Sequence, residues 1–278
     1  MTDHLPLGID VSNNNGRIDW ARVASAGVQF AIAKVSEGAF FRDGFFAENW
    51  QAMKAHGILR GAYHFARPSA YAALAEADYF VDAIALLGQT LEPGDLVALD
   101  LEDENAGGDL SSWTLEWLQR VEARVGFKPL VYTSPGYAQQ HQLQNQPAIG
   151  DFGLWCASWG VPTPPPAPAP WDLVAIHQYA VGGVGSIPGV QGECDLNRYN
   201  GPIETLPLYG KPGGVVEPPP AVDELDRLRT LVGVAYSETG TVVPALAAAL
   251  ANPDDVNLRM QTDAVLRFLR ANNPNAAA

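Results

Sequence analysis

Apolar and polar positions alternate in blocks along this chain. Five times a short apolar run is followed by an amphipathic helical pattern. The runs are LGIDVS, VQFAIAKVSEG, ILRGAYHFARP, DLVALDLED and KPLVYTSPGY. Each holds a core of apolar or β-branched residues closed by polar, Gly or Pro punctuation, the mark of a strand. The helices are predicted over Asp19 to Ala26, Phe45 to His56, Ala70 to Leu87, Ser112 to Val125 and Gly136 to Gln144. Gly27, Gly57, Gly88 and Gly126 stand where several of them should stop. Strand followed by helix, repeated, implies a parallel sheet with right-handed crossovers.

After Gln144 the alternation fails. The strand-like runs GLWCASWG, DLVAIHQYA and GECDLNRYNG are joined by loops, one of them the proline-rich VPTPPPAPAPW, which cannot be helical. Eight strands and five helices over some 200 residues predict an α/β fold, a TIM-like (β/α)5(β)3 barrel, with an open doubly wound sheet as the alternative. Either way the site belongs at the carboxyl ends of the strands. The barrel is expected over 1–209, a Gly/Pro-rich linker over 210–221 and a short helical C-terminal tail over 222–278. The tail is too short to hold a core alone, so docking on the barrel, wall targeting or homo-oligomer formation is expected of it.

Composition narrows the partners. The 278 residues carry a net charge of −14, which argues against nucleic acid or an anionic membrane surface as a partner. No apolar stretch has the length of a membrane span, and the first residues lack the pattern of a signal peptide. The expectation is a chain made in the cytoplasm, with no membrane insertion. Two cysteines, Cys156 and Cys194, supply neither a disulfide scaffold nor a zinc module, and read most simply as buried strand thiols.

The sharpest chemical feature is ALDLED, residues 98–103. Side chains alternate across a strand, so Asp100 and Glu102 share one face and Leu99 and Leu101 the other. If that face is the barrel interior, two carboxyls crowd its mouth and at least one pKa rises. A solvated acidic loop is the bland alternative, and Asp103 and Glu104 are assigned to it. Asp10 ends the first strand and Asp195 lies in the eighth, its neighbour in a closed barrel. Four converging acids suggest carboxylate acid/base chemistry; no dense run of oxygen ligands around a Gly points to a metal, so neither metal nor cofactor is expected. Tyr63, Tyr132, Trp159, Tyr179, Gln178 and Lys34, aromatic and polar residues at the same strand ends, are the candidate substrate contacts. His64 reads as structural.

At this point a resemblance becomes specific. GIDVS, IDW, FAIAKVSEG, GAYHFARP, ALDLE, LVYTSPGY, HQYA and CDLNRYNG occur in the order and approximate spacing of glycoside hydrolase family 25, the Chalaropsis-type muramidases, over about residues 5 to 202. The resemblance implies a barrel that cleaves the β-1,4 bond between N-acetylmuramic acid and N-acetylglucosamine of bacterial peptidoglycan. It implies Glu102 as general acid, Asp100 as partner carboxylate, and Asp10 and Asp195 as flanking acids. It favours retention through the substrate's acetamido group, although inversion uses the same residue types. His177 stands where relatives commonly have Trp. A phage endolysin or a bacterial wall-remodelling enzyme, reaching the wall after release or holin-type export, fits this picture. A non-catalytic peptidoglycan-binding or phage structural module is the alternative. A chitinase-like hydrolase is disfavoured because DxxDxDxE is absent.

Overall fold

The computed structural model describes residues 5–212 except residue 162. The predicted tail, 222–278, lies outside the described residues, as does the linker from 213 onward. Nine strands and five α-helices are found among the described residues: β1 (Leu7–Val11), α1 (Trp20–Ser25), β2 (Phe30–Glu37), β3 (Phe41–Arg42), α2 (Phe46–Ala55), β4 (Leu59–Phe65) and α3 (Ala73–Leu86). They continue with β5 (Leu96–Asp100), α4 (Ser111–Val125), β6 (Leu130–Thr133), α5 (Pro135–Gln140), β7 (Leu154–Ala157), β8 (Val174–Gly182) and β9 (Cys194–Tyr199). Their order around the sheet is β1-β9-β8-β7-β6-β5-β4-β2, and β1 pairs with β2 to close a barrel of eight strands. The predicted TIM-like barrel is therefore the fold; the open sheet is not.

Two details depart from the expected pattern. The two-residue strand β3 turns back on β2 outside the barrel, too short to show as a hydrophobic period. The last strand, β9, is antiparallel to both β8 and β1. That explains the missing helix between β8 and β9, because antiparallel neighbours need only a hairpin whereas parallel ones need a crossover.

Local chemistry sets the helix ends. Asp19 caps α1 by accepting from the Arg22 N–H at 3.2 Å, and Ser134 caps α5 with Pro135 in its first turn. Gly126 closes α4 at φ +87, a left-handed conformation that costs Gly nothing, with its N–H on the Glu122 carbonyl.

The barrel interior is filled by one apolar cluster that includes Phe30, Ile32, Tyr63, Leu96, Leu130, Tyr132, Trp155, Tyr199, Leu206 and Tyr209. Any Cβ on Gly8 would overlap the Phe30 ring, at 2.2 Å, so β1 carries Gly where that ring crosses the barrel. Leu206 and Tyr209 come from a 3-10 helix, Ile203–Gly210, that plugs the floor. Gly210, read from composition as the start of the linker, still belongs to the barrel: its carbonyl accepts from Gly94 N at 2.8 Å and it is buried against Asp95. Outside the strands a second apolar layer, including Trp50, Phe80, Trp117 and Leu118, joins helices to barrel. With the floor filled by apolar groups, the carboxyl ends of the parallel strands are left as the polar mouth.

His64 is buried in that outer layer. Its Nδ1 lies 2.9 Å from Ser36 Oγ and its Nε2 2.7 Å from Glu76 Oε2, with the ring stacked on Trp117. Burial lowers its pKa against the opposing pull of Glu76, which makes it the structural residue expected. Cys156 and Cys194 are both free and buried, and burial raises the Cys156 thiol to about 12, so neither is a reactive thiolate.

Candidate active site

Asp100 ends β5, where its main chain is held on both sides. Its carbonyl accepts from Ala66 N at 2.8 Å, and the next residue's N–H, Leu101, donates to the Tyr132 carbonyl at 2.9 Å. The alternation expected of DLED follows. Leu99 and Leu101 are fully buried in the outer layer, while Asp100 and Glu102 turn to the mouth. Asp100 is only 6% exposed, and its Oδ1 has no hydrogen-bond partner among the described residues. Burial, then the charge of Glu102, raise its pKa well above the carboxylate range, against a lowering pull from Lys34.

Glu102 stands past the strand end, with part of the residue exposed and its carboxyl turned into the mouth. Desolvation of its carboxyl, then the negative charge of Asp195, push its pKa up to about 7, against a hydrogen bond with Tyr132. A carboxyl poised near neutral pH suits proton donation.

On the other side of the mouth Asp10 and Asp195 sit directly opposite each other in the β1–β9 register. Asp10 Oδ2 accepts from Gln178 Nε2 at 3.0 Å and from Asn197 Nδ2 at 2.7 Å. Even so, desolvation and the charge of Asp195 raise Asp10 to about 8. Indole N–H groups fix both amides. Trp159 Nε1 donates to Gln178 Oε1 at 2.8 Å and Trp155 Nε1 to Asn197 Oδ1 at 2.7 Å, so each amide turns its NH₂ to Asp10. Tyr132 OH donates to the same Gln178 oxygen at 2.9 Å.

The structure thus brings Glu102, Asp100, Asp10, Asp195, Tyr132, Trp159 and Gln178 to one mouth. Tyr63 lies beneath it, 8% exposed, edge-on to Trp155. Lys34 stands at its side, bonded to Glu37 Oε2 at 2.7 Å and lying over the rings of Phe41 and Phe65. Tyr179 is not part of the cluster; it is stacked under Arg198 and beside His177 on the face opposite Gln178. His177, on that same face, is buried, with Nε2 2.8 Å from the Ser158 carbonyl.

One assignment is overturned. Asp103 is no solvated loop residue: it is fully buried. It accepts from Ser69 N and Arg67 Nη1 at 3.2 Å each, from Ser69 Oγ and from Asn105 N. Burial alone would raise its pKa, but these donors outweigh burial and hold the carboxyl below its usual range. The same Arg67 binds Glu37 Oε1, which ties the end of β2 to the loops after β4 and β5. Sequence reasoning missed Arg67, Glu37 and Asn197; only Asn197 carried a signal, two residues from Asp195 on the same strand face.

A closed barrel whose mouth at the strand carboxyl ends opposes two pairs of carboxyls defines a glycoside hydrolase. More particularly, the chain belongs to glycosyl hydrolases family 25, whose model matches residues 9–190. It is 33% identical to lysozyme M1 of Streptomyces globisporus over 210 residues, 72% of this chain and 69% of that one. It is 28% identical to an N,O-diacetylmuramidase of Chalaropsis over 199 residues, 63% of this chain and 90% of that one. Among solved structures it matches the bacterial lysozyme of Streptomyces coelicolor with TM-score 0.64 and 28% identity, covering 75% of this chain and 98% of that one. The CTP1L endolysin matches with TM-score 0.60 and 33% identity, over 70% and 66% of the two chains.

Proposed function

We propose that Glu102 protonates the glycosidic oxygen between N-acetylmuramic acid and N-acetylglucosamine while Asp100 steers the substrate's own acetamido group onto the anomeric carbon. The enzyme is a glycosidase, a peptidoglycan muramidase. The observation that carries the mechanism is the unpartnered, buried Asp100 Oδ1. A buried acceptor without a donor costs free energy, and the acetamido N–H of a bound sugar is a donor of the required kind. With that N–H held, the acetamido oxygen attacks C1, the C1–O bond breaks and the leaving oxygen takes the Glu102 proton. Water then opens the ring intermediate and returns a proton to Glu102. Asp10 and Asp195 act as flanking acids. The exposed indole of Trp159 and the Tyr132 hydroxyl border the sugar path.

Purified peptidoglycan tests the reading. New reducing ends on N-acetylmuramic acid are expected, with the β-anomer first in NMR spectra taken within minutes. The α-anomer first would replace the acetamido route by inversion. Binding without new ends would mean a non-catalytic wall-binding module. Release by lysis or through a holin-type pore, and oligomerisation through 222–278, belong to this same reading.

A further inference from the structure

Around the barrel the order β1, β2, β4, β5, β6, β7, β8, β9 sets the mouth on two crossed axes. Asp10 and Asp195, on β1 and β9, lie across from Asp100 and Glu102 at the end of β5. The second axis runs at right angles to this, from the ends of β2 and β4 to the ends of β7 and β8. Trp159, 60% exposed, occupies its β7/β8 end, anchored through Gln178. At the opposite end Phe40, 61% exposed, follows β2 and is stacked with Tyr71, which follows β4, with ring centroids 6.2 Å apart and planes at 27°.

We infer that Phe40 and Tyr71 form a distal carbohydrate subsite, which takes an N-acetylhexosamine of the glycan strand away from the cleaved bond. The inference rests on the muramidase reading of the mouth. Aromatic faces suit the C–H faces of sugars. The backbone that carries these rings is held. Both close over Gly38, where a Cβ would meet Tyr71 at 2.9 Å and Phe40 at 3.0 Å, and where φ is +50. The Gly38 N–H is bonded to the Phe65 carbonyl at 3.0 Å. Tyr71 is held through its carbonyl by Trp113 Nε1 at 2.9 Å and through its N–H by the Arg67 carbonyl at 3.0 Å. A held backbone lowers the ordering cost of binding.

Register supplies the length. Glu37 pairs with Phe65 and Phe65 with Asp100. Glu37, three residues before Phe40, therefore lies two strand spacings, about 10 Å, from Asp100. A strand laid from Phe40 and Tyr71 to Trp159 passes between the two carboxyl pairs.

Binding tests this independently of turnover. In the full-length Glu102→Gln chain, affinity is measured for a hexasaccharide of alternating N-acetylglucosamine and N-acetylmuramic acid and for the disaccharide. Phe40→Ala with Tyr71→Ala should lower the ratio of hexasaccharide to disaccharide affinity about tenfold, and Phe40→Tyr should restore it where Tyr71 is kept. Leu86→Ala, an equally exposed apolar residue at the far end of α3, should leave the ratio alone. An unchanged ratio in the double variant, with wild-type circular dichroism, overturns the subsite, as does an equal loss for both sugars. Failure of the wild-type chain to make new reducing ends would overturn the muramidase reading instead.

Discussion

Asp10 and Asp195 are cross-strand partners whose carboxyl groups are hydrogen-bonded to each other. Two carboxyls so placed cannot both ionise at their ordinary values, and one proton is shared between them. Desolvation comes first in raising each, and the charge that remains on the pair is what Glu102 feels across the mouth.

The alkaline limb of the pH profile should therefore lie near pH 7 and report loss of the Glu102 proton, which titrates as a member of the coupled carboxyl set. Asp195→Asn removes a charge that raises Glu102, so the alkaline limb should move to lower pH. Initial rates against pH at fixed ionic strength decide it, and an upward shift would contradict the proposed coupling.

Glu102→Gln should fold as wild type and lose turnover by about 10²–10⁴-fold, the usual worth of a general acid. Product release from peptidoglycan by the purified variant is the measurement. Wild-type-like rates would remove Glu102 from the donor role.

Asp100→Asn should separate activity from stability. Asp100 has a raised folded pKa, so its cost to folding is absent below the unfolded pKa, about 4, and grows as pH rises toward the folded value. The variant should melt roughly 2–5 °C higher at pH 7, with the gain vanishing near pH 4, while hydrolysis is severely impaired. Calorimetry at the two pH values checks both halves.

Asp103→Asn should be costly although Asp103 touches no substrate. Its carboxylate accepts from Ser69, Asn105 and Arg67, and an amide there turns a donor toward donors. A loss of about 2–3 kcal/mol is expected in urea unfolding at pH 7. Because the folded pKa is depressed, the wild-type advantage is complete above the unfolded value and fades as pH falls through the folded one.

A chain ending at Pro212 should keep a cooperative melt and the wild-type rate per barrel on soluble glycan strands, since the floor plug ends at Gly210 and the barrel closes through β1–β2 pairing. Loss of both would make 213–278 integral to the barrel. Comparing the native masses of the two chains tests oligomerisation through 222–278.

The order of strands and helices, the barrel and the pairing of Asp100 with Glu102 were legible in the chain itself, because the period of two and the period of 3.6 are local properties that burial on one face imposes. Asn197 could have been added on the same ground. What only the tertiary structure decided lies between segments distant in sequence. Asp103 looked like loop because its donors, Ser69 and Arg67, stand more than thirty residues away. Tyr179 looked like a mouth residue because it adjoins Gln178, yet strand alternation turns it out to Arg198. Barrel closure is likewise non-local: it sets Asp10 against Asp195 and the Phe40–Tyr71 pair across from Trp159. Crowding of charge, and hence the pKa of Glu102, exists only once β1, β5 and β9 share one mouth.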